Sequence, residues 1–286
     1  VAGLQSPVRF RARDHRVGGD AALGERVADW YAESNLASAG EVAALADGVW
    51  AMRTPAYPKS FAHNAVLVRR DPGAAALVAW ADEVLADADH RYVNAECDLS
   101  DDTREGLREA GYELTSLVLM ARELDVEPSL PHAISVERAT RDVIARLHGV
   151  LWRTEWLPGI GDDEVAQLVD RRGEGPGELA WVVRDAELED PACGDLVACT
   201  DLHVRGWAAE VDAVATRVPA RGRGYADALL ATAVRAAYDA GCTHVVLSAL
   251  TEDWPLHWYA RRGFRVVGRS WEALKRLDGL SFASAS

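Results

Sequence analysis

Residues 214–230, VATRVPARGRGYADALL, join a β-branched segment to an alanine- and leucine-rich segment through a loop in which arginine and glycine alternate. The order predicts a strand, a turn over Arg221-Gly222-Arg223-Gly224, and then a helix. Glycines let consecutive backbone N–H groups face an anion, and the start of a helix adds free N–H donors and partial positive charge. The loop is therefore either a phosphate cradle or a solvent-exposed polar turn, and its arginines suit both.

Two familiar phosphate-binding loops do not fit this stretch. A Walker A loop requires GxxxxGK[ST], and the sequence has no such run. A Rossmann fingerprint requires GxGxxG, but GRGYAD places Asp227 where the third glycine belongs. The pattern that is present is Arg-x-x-Gly-x-Ala, from Arg221 through Gly224 to Ala226.

Charge and composition restrict the partners. The 286 residues include 31 basic and 45 acidic side chains, a net charge of −14, whereas nucleic-acid-binding proteins normally carry a basic surface. No apolar run reaches the ~18 residues of a membrane span. The four cysteines lack metal-binding spacing, and the first residues lack the apolar core of a signal peptide. We expect a cytoplasmic protein without a nucleic-acid, membrane or metal partner, either a monomer or a homodimer.

The second half of the chain alternates strand and helix patterns. The predicted elements are a strand at 134–140, helices at 141–152 and 162–172, strands at 178–186, 194–204 and 207–216, a helix from the loop to about residue 240, a strand at 244–250, a helix at 253–263 and a strand at 264–274. This order predicts an α/β domain whose mixed sheet begins as a meander and continues through a crossover helix.

The first half repeats this order from about residue 61. Shifting the chain by 152 residues places Arg69 on Arg221 and Gly111 on Gly263 without a gap. Two prolines interrupt the pattern within residues 125–133. The sequence therefore predicts two tandem domains, 1–128 and 133–286, each a mixed, mostly antiparallel twisted sheet flanked by helices.

A second motif, YARRGF at 259–264, follows the Arg-x-x-Gly-x-Ala loop. With both motifs on these elements, residues 134–274 resemble the GNAT acetyltransferase superfamily, whose signatures are [Gln/Arg]-x-x-Gly-x-[Gly/Ala] and Tyr-x-x-x-Gly-Phe. The resemblance implies a GNAT fold and an acyltransferase that moves an acetyl group from acetyl-CoA to a primary amine of a small molecule or peptide.

The resemblance also assigns residues to the cofactor and the chemistry. Backbone groups of Val214, Ala215 and Thr216 would bond the pantetheine arm, and Arg221, Gly222, Arg223, Gly224, Tyr225 and Ala226 would hold the pyrophosphate. Tyr259 would protonate the departing thiolate, a role that an ordinary tyrosine pKa near ~10 suits.

Glu210, Asp212 or a chain of waters would take the proton from the amine. Each assignment has a plainer interpretation: Tyr259 as a core aromatic residue, and either acid as a solvated or ion-paired side chain. Glu252 stands where many family members have an asparagine that helps to hold the pantetheine arm. Trp152 and Trp156 either line the acceptor pocket or pack in the core.

The first copy lacks the loop motif and the tyrosine of the second copy. Its counterpart of the loop is RRDPGA at 69–74, in which Pro72 removes an N–H donor and Asp71 adds negative charge, and Leu107 stands opposite Tyr259. We interpret residues 1–128 as a degenerate GNAT-like domain without a CoA loop. This tandem layout is similar to that of the mycothiol synthase family.

Two other functions stay open from the sequence alone. One is a regulatory protein that binds acyl-CoA without catalysis, and the other is a protein-interaction module that uses the first half. The acidic composition favours a cationic acceptor through electrostatic steering, but no residue identifies it.

Overall fold

The computed structural model describes residues 21–129, 133–170, 177–252 and 254–278. Its helices are α1 Ala21–Ser38, α2 Ala74–Val84, α3 Asp101–Glu109, α4 Arg141–Leu151, α5 Asp162–Asp170, α6 Tyr225–Asp239 and α7 Trp254–Ala260. Its strands are β1 Glu41–Ala46, β2 Val49–Arg53, β3 Ala65–Val68, β4 His90–Ala95, β5 Glu113–Glu123, β6 Glu137–Arg138, β7 Glu178–Arg184, β8 Leu196–Arg205, β9 Ala208–Thr216, β10 His244–Leu250 and β11 Arg265–Arg276.

The described strands form one 11-stranded mixed sheet in the order β1-β2-β3-β4-β11-β5-β10-β9-β8-β7-β6. The last strand of each half lies inside the other half. Strand β11 pairs with β4 on one side and β5 on the other, and β5 pairs in turn with β10. The two halves therefore share a continuous ladder of hydrogen bonds.

Both halves repeat one topology. Strands β1, β2 and β3 form an antiparallel meander, and α2 then crosses to the parallel strand β4. Strands β7, β8 and β9 form the matching meander, and α6 crosses to the parallel strand β10. The predicted α/β fold, its mixed sheet and its order of elements are confirmed. The division at 128 and 133 stays a prediction, and the exchanged strands β5 and β11 tie its two parts together.

Some elements differ from their predicted limits. The strand expected at 134–140 is reduced to Glu137–Arg138, and α4 continues into a π-helix at Trp152–Trp156. The last residues of the helix predicted at 162–172, and Asp253 at the start of another, lie outside the described residues. The helix α1 and the strands β1 and β2 had no clear signal in the sequence.

Helices cover both faces of the sheet. One face packs against α6 and α7 in the second half and against α2 and α3 in the first. The opposite face, called the α1 face below, packs against α1 in the middle and α4 near the β6 edge. Trp30 of α1 anchors that helix, because its indole N–H donates to the carbonyl of Arg205 on β8 at 2.9 Å.

Among the described helices, none is both long enough and apolar enough to cross a membrane.

Candidate active site

Strands β9 and β10 separate after a short ladder. Their parallel pairing runs only from Ala208–His244 to Glu210–Val246. Beyond it, the N–H of Arg217 donates to Val197 on β8 at 2.9 Å, so the alternation of a strand turns the peptide groups of Thr216 and Val214 toward the gap. The two strands thus leave an open backbone edge between them.

Thr216 supplies the clearest sign that this edge is a binding surface. Its hydroxyl oxygen is buried and has no hydrogen-bond partner in the described part of the chain. Its carbonyl accepts from Nε of Arg221 at 3.2 Å. Since buried polar atoms are nearly always paired, an orphaned hydroxyl beside an open edge indicates a polar ligand.

A bulge on β9 fixes Asp212 next to the gap. The register between β8 and β9 shifts here, and Ala213 has φ +49°, an unusual value for a residue with a Cβ. The N–H of Ala213 donates to Oδ1 of Asp212 at 2.7 Å, and the hydroxyl of Thr200 donates to the carbonyl of Asp212 at 3.2 Å. One carboxylate oxygen of Asp212 is therefore held by the backbone.

The arginine–glycine loop has the geometry of an anion cradle. Gly222 and Gly224 have φ +79° and +85°, which a residue with a side chain rarely adopts, and the position of a Cβ at Gly222 meets open space. Helix α6 begins directly after Gly224. The N–H groups of residues 222–226 have no acceptor among the described residues. These donors and the positive end of the dipole of α6 therefore lie together at the loop.

Two acids hold the arginines beside this cradle. Glu155, on the π-helix, accepts from the N–H of Val218 at 3.1 Å and from the guanidinium of Arg221 at 2.6 Å. Asp185 accepts from Arg223 and from the hydroxyl of Tyr225, both at 2.7 Å. The hydrogen bond from Tyr225, with the charge of Arg223, lowers the pKa of Asp185. Both arginines are thereby positioned on the rim of the loop.

Tyr259 lies on α7, in the core that packs against α6. It is 9% exposed and contacts the rings of Trp258 and Phe264, with centroids 4.8 and 5.7 Å away. Burial, with the nearby charge of Asp212, raises its pKa above the usual value. The phenol therefore keeps its proton at neutral pH, but its pKa is higher than the ordinary value near ~10 that suits the predicted role as donor, so it is a weaker acid than expected.

Glu210 belongs to a charged row that crosses three strands on the α1 face. Register pairs Glu178 with His203, and His203 with Glu210. Although burial lowers the pKa of His203, a hydrogen bond to Glu178 and the nearby acids raise it to about 9. Burial raises the pKa of Glu210 to about 7, against the opposing charge of His203. A carboxyl group that exchanges its proton near neutral pH suits a general base.

In the equivalent loop of the first half, the side chain of Asp71 accepts hydrogen bonds from its own surroundings. Asp71 accepts from the N–H of Gly73 at 2.9 Å, from the N–H of Ser100 at 2.8 Å and from the hydroxyl of Thr103 at 2.9 Å. Burial raises the pKa of Asp71, but these hydrogen bonds outweigh it and hold the pKa below its usual range. The carboxylate thus occupies one N–H donor of the loop, that of Gly73, and ties the loop to the start of α3.

Some of the residues predicted from the sequence lie together in the structure, and others do not. The structure brings the open edge of β9, the loop and the two acids of β9 to one end of the β9–β10 gap. Glu252 is exposed. Trp152 is buried and contacts Trp156 and Phe61. Glu155 and Asp185 were missed, because nothing in their local sequence links them to a loop so far along the chain.

The second half of the chain is similar to a known family. Residues 147–264 match the acetyltransferase (GNAT) family. None of the curated proteins matches the sequence.

Three solved structures share the fold at low identity. A functionally unknown conserved protein from Staphylococcus epidermidis is 17% identical, with a TM-score of 0.66 over 83% of this chain and 94% of its own. A GCN5-related N-acetyltransferase from Kribbella flavida is 16% identical, with a TM-score of 0.58 over 91% and 99%. A putative GNAT-family acetyltransferase from Novosphingobium aromaticivorans is 17% identical, with a TM-score of 0.53 over 88% and 93%.

The match defines the class of the second half, in which residues 147–264 form a GNAT acetyltransferase domain.

Proposed function

We propose that the protein is an N-acetyltransferase that moves the acetyl group of acetyl-CoA to a primary amine of a small molecule or peptide, at a site in residues 133–286. The observation that carries this is the coincidence of three features: the cradle of unpaired N–H groups at 222–226, the open edge of β9 and the buried phenol of Tyr259. When bound, acetyl-CoA supplies the activated thioester.

The residues present fit that ligand. The loop offers N–H donors and two arginines to a pyrophosphate, and Val214, Ala215 and Thr216 offer an open strand edge to an amide-bearing arm. The orphaned hydroxyl of Thr216 would gain a partner on the same edge. No described side chain fills the position above Gly222.

We assign the proton transfers to residues on either side of the gap. Glu210 takes the proton from the attacking amine, directly or through water, as the N–C bond forms and the C–S bond breaks. Tyr259 donates its phenolic proton to the departing sulfur. Asp212 shapes the bulge, because its carboxylate is engaged by the N–H of Ala213. Free backbone N–H groups at the gap stabilise the developing oxyanion.

The first half, residues 1–128, takes no part in binding acetyl-CoA in this proposal. Asp71 occupies the N–H of Gly73 in its loop and places a negative charge there, and Leu107 is completely buried at the position equivalent to Tyr259. We propose that this half is a degenerate copy that supplies part of the acceptor site.

The proposal is tested by binding and turnover together. Acetyl-CoA is expected to raise the melting temperature of the purified protein, and the Arg221→Ala variant to weaken that shift. Arg70→Ala is the matched control, because Arg70 lies in the equivalent loop of the first half and its pair with Asp47 is exposed. Thiol release with a panel of amines then separates the enzyme from a regulator, which would bind acetyl-CoA and release none. Absence of any shift would contradict both.

A further inference from the structure

A second group of acids lies on the α1 face, beyond Glu210. Glu272 of β11 pairs with Asn94 of β4, and Glu96 follows at the end of β4. Their neighbours Ala95 and Ala273 belong to the core on the opposite face, so alternation places Glu96 and Glu272 on the α1 face. The first half and the exchanged strand therefore bring carboxylates toward the acids of β9.

Helix α1 covers this group with the buried phenol of Tyr31, which lies next to Glu210. Tyr31 is 6% exposed, and its hydroxyl lies close enough to Glu210 to interact with it but forms no hydrogen bond of good geometry among the described residues. The charges of Glu210, Glu96 and Asp212 all help burial to raise its pKa, which places the hydroxyl among those carboxylates. A buried hydroxyl left unpaired costs stability unless a ligand completes it.

Glu96 also has a buried side-chain oxygen that lacks a hydrogen-bond partner among the described residues. Glu96 is 5% exposed, and Oε2 has no hydrogen-bond partner of good geometry in the described part of the chain. Oε1 accepts a 3.4 Å bond from the amide of Asn35, and the amide of Asn94 is near enough to lower the pKa of Glu96. Arg69 lies close by, but its guanidinium binds Asp29 and Glu25 and reaches Glu96 only at the backbone carbonyl. The Glu96 carboxylate is thus left without a cation of its own.

Glu96, Glu272 and Glu210, together with the residues beside them on the α1 face, are called the crevice below. The charges of these acids act on one another. Burial, together with the charges of Glu210 and Glu272, raises the pKa of Glu96 to about 8. Burial raises the pKa of Glu272 against a hydrogen bond from Tyr92 that lowers it, and the charge of Asp212 raises it further. These carboxylates are buried close to one another, where charges are poorly screened. On β8, the positive charge of His203 lowers the pKa of Glu210. The acids of the crevice are therefore more numerous than the two positive groups that act on them, Arg69 and His203.

Aromatic side chains close the crevice at the β4 side. Tyr92, whose ring contacts Phe61, lies two residues before Asn94 on the same face of β4. It packs in one cluster with Trp152, whose indole N–H is buried without a partner among the described residues. Aromatic faces beside carboxylates suit an alkyl chain that carries an ammonium group.

We propose that this crevice is the acceptor site and that the acceptor is a diamine or polyamine, with one ammonium group held by Glu96 and Glu272 while another amine lies at Glu210. The held ammonium does not react; it fixes the acceptor so that its other nitrogen faces the gap between β9 and β10. This inference rests on the proposed acetyl transfer and gives the first half a role in selecting the substrate.

Calorimetry of the full chain tests the crevice without turnover. The probes are n-butylamine, 1,4-diaminobutane and spermidine, which differ in the number of ammonium groups. We expect 1,4-diaminobutane and spermidine to bind at least tenfold more tightly than n-butylamine. The Glu96→Gln/Glu272→Gln variant should lose at least tenfold in affinity for 1,4-diaminobutane and change less than twofold for n-butylamine. The control is Glu83→Gln, an exposed acid of α2, which should bind all three as the unmodified protein does.

Equal affinity for the three amines, or an equal loss in the Glu83→Gln control, would overturn the inference. The comparison of the three probes on the unmodified protein needs no variant, so a folding defect cannot hide the answer. Thiol release separates this inference from the proposed function. Diamine binding without thiol release from any amine refutes the transferase alone, whereas equal kcat/KM for n-butylamine and 1,4-diaminobutane refutes the diamine site alone.

Discussion

Replacing Glu96 by glutamine should stabilise the protein, and the gain should grow with pH. Burial raises the pKa of Glu96 from 4.5 to about 8. Between those values the unfolded chain has lost the proton while the folded chain keeps it, so stability falls as the pH rises. Each pH unit is worth ~1.4 kcal/mol, which gives about 5 kcal/mol across the whole interval and about 3 kcal/mol by pH 7. Glutamine has the shape of the protonated acid and removes this penalty.

The assay is urea unfolding of the unmodified protein and the Glu96→Gln variant between pH 5 and pH 9. The difference in unfolding free energy should be small near pH 5, rise steadily, and level off above pH 8. Glu83→Gln serves again as the exposed control and should show no such trend. A difference that does not change with pH, or that shrinks as the pH rises, would refute the account of Glu96 as a buried acid short of positive charge.

Two further predictions concern the loop and the base. Gly222→Val should raise the Kd of acetyl-CoA at least tenfold by calorimetry, because φ +79° disfavours a β-branched residue and the substitution distorts the loop. An unchanged Kd would count against the cradle. Since the pKa of Glu210 is raised to about 7, kcat/KM should fall tenfold per pH unit below pH 7. Glu210→Gln should abolish that acidic limb and lower kcat/KM by ~10²-fold, more than Asp212→Asn; a limb that survives in Glu210→Gln would point to another base.

The second half was predictable because its signals are local. Strand alternation, helical spacing and the two glycine-containing motifs each lie within a few residues, and they gave the correct order of elements. The exchange of β5 and β11 was not predictable. Alternation determines which face of a strand is buried, but it does not determine which strand lies beside it.

The sequence comparison detected the internal repeat, but its alignment was one residue out of register at the loop. The caps of α2 and α6 are Gly73 and Gly224, which differ by 151 positions rather than by the 152 of the gapless alignment. The acidic crevice was not foreseen, because Glu96, Glu272 and Tyr31 come from separate parts of the chain. Only the exchanged strands bring them to one face with Glu210.

The most direct test of the proposed acetyl transfer is a comparison of the unmodified protein with Tyr259→Phe, in which thiol release from acetyl-CoA and the mass of the acetylated amine are measured together. The account predicts amine-dependent thiol release by the unmodified protein. In the variant, kcat should fall ~10²-fold or more while the Kd of acetyl-CoA stays within about twofold, because only the phenolic proton is removed. An unchanged kcat in Tyr259→Phe, or thiol release without an acetylated product, would contradict it.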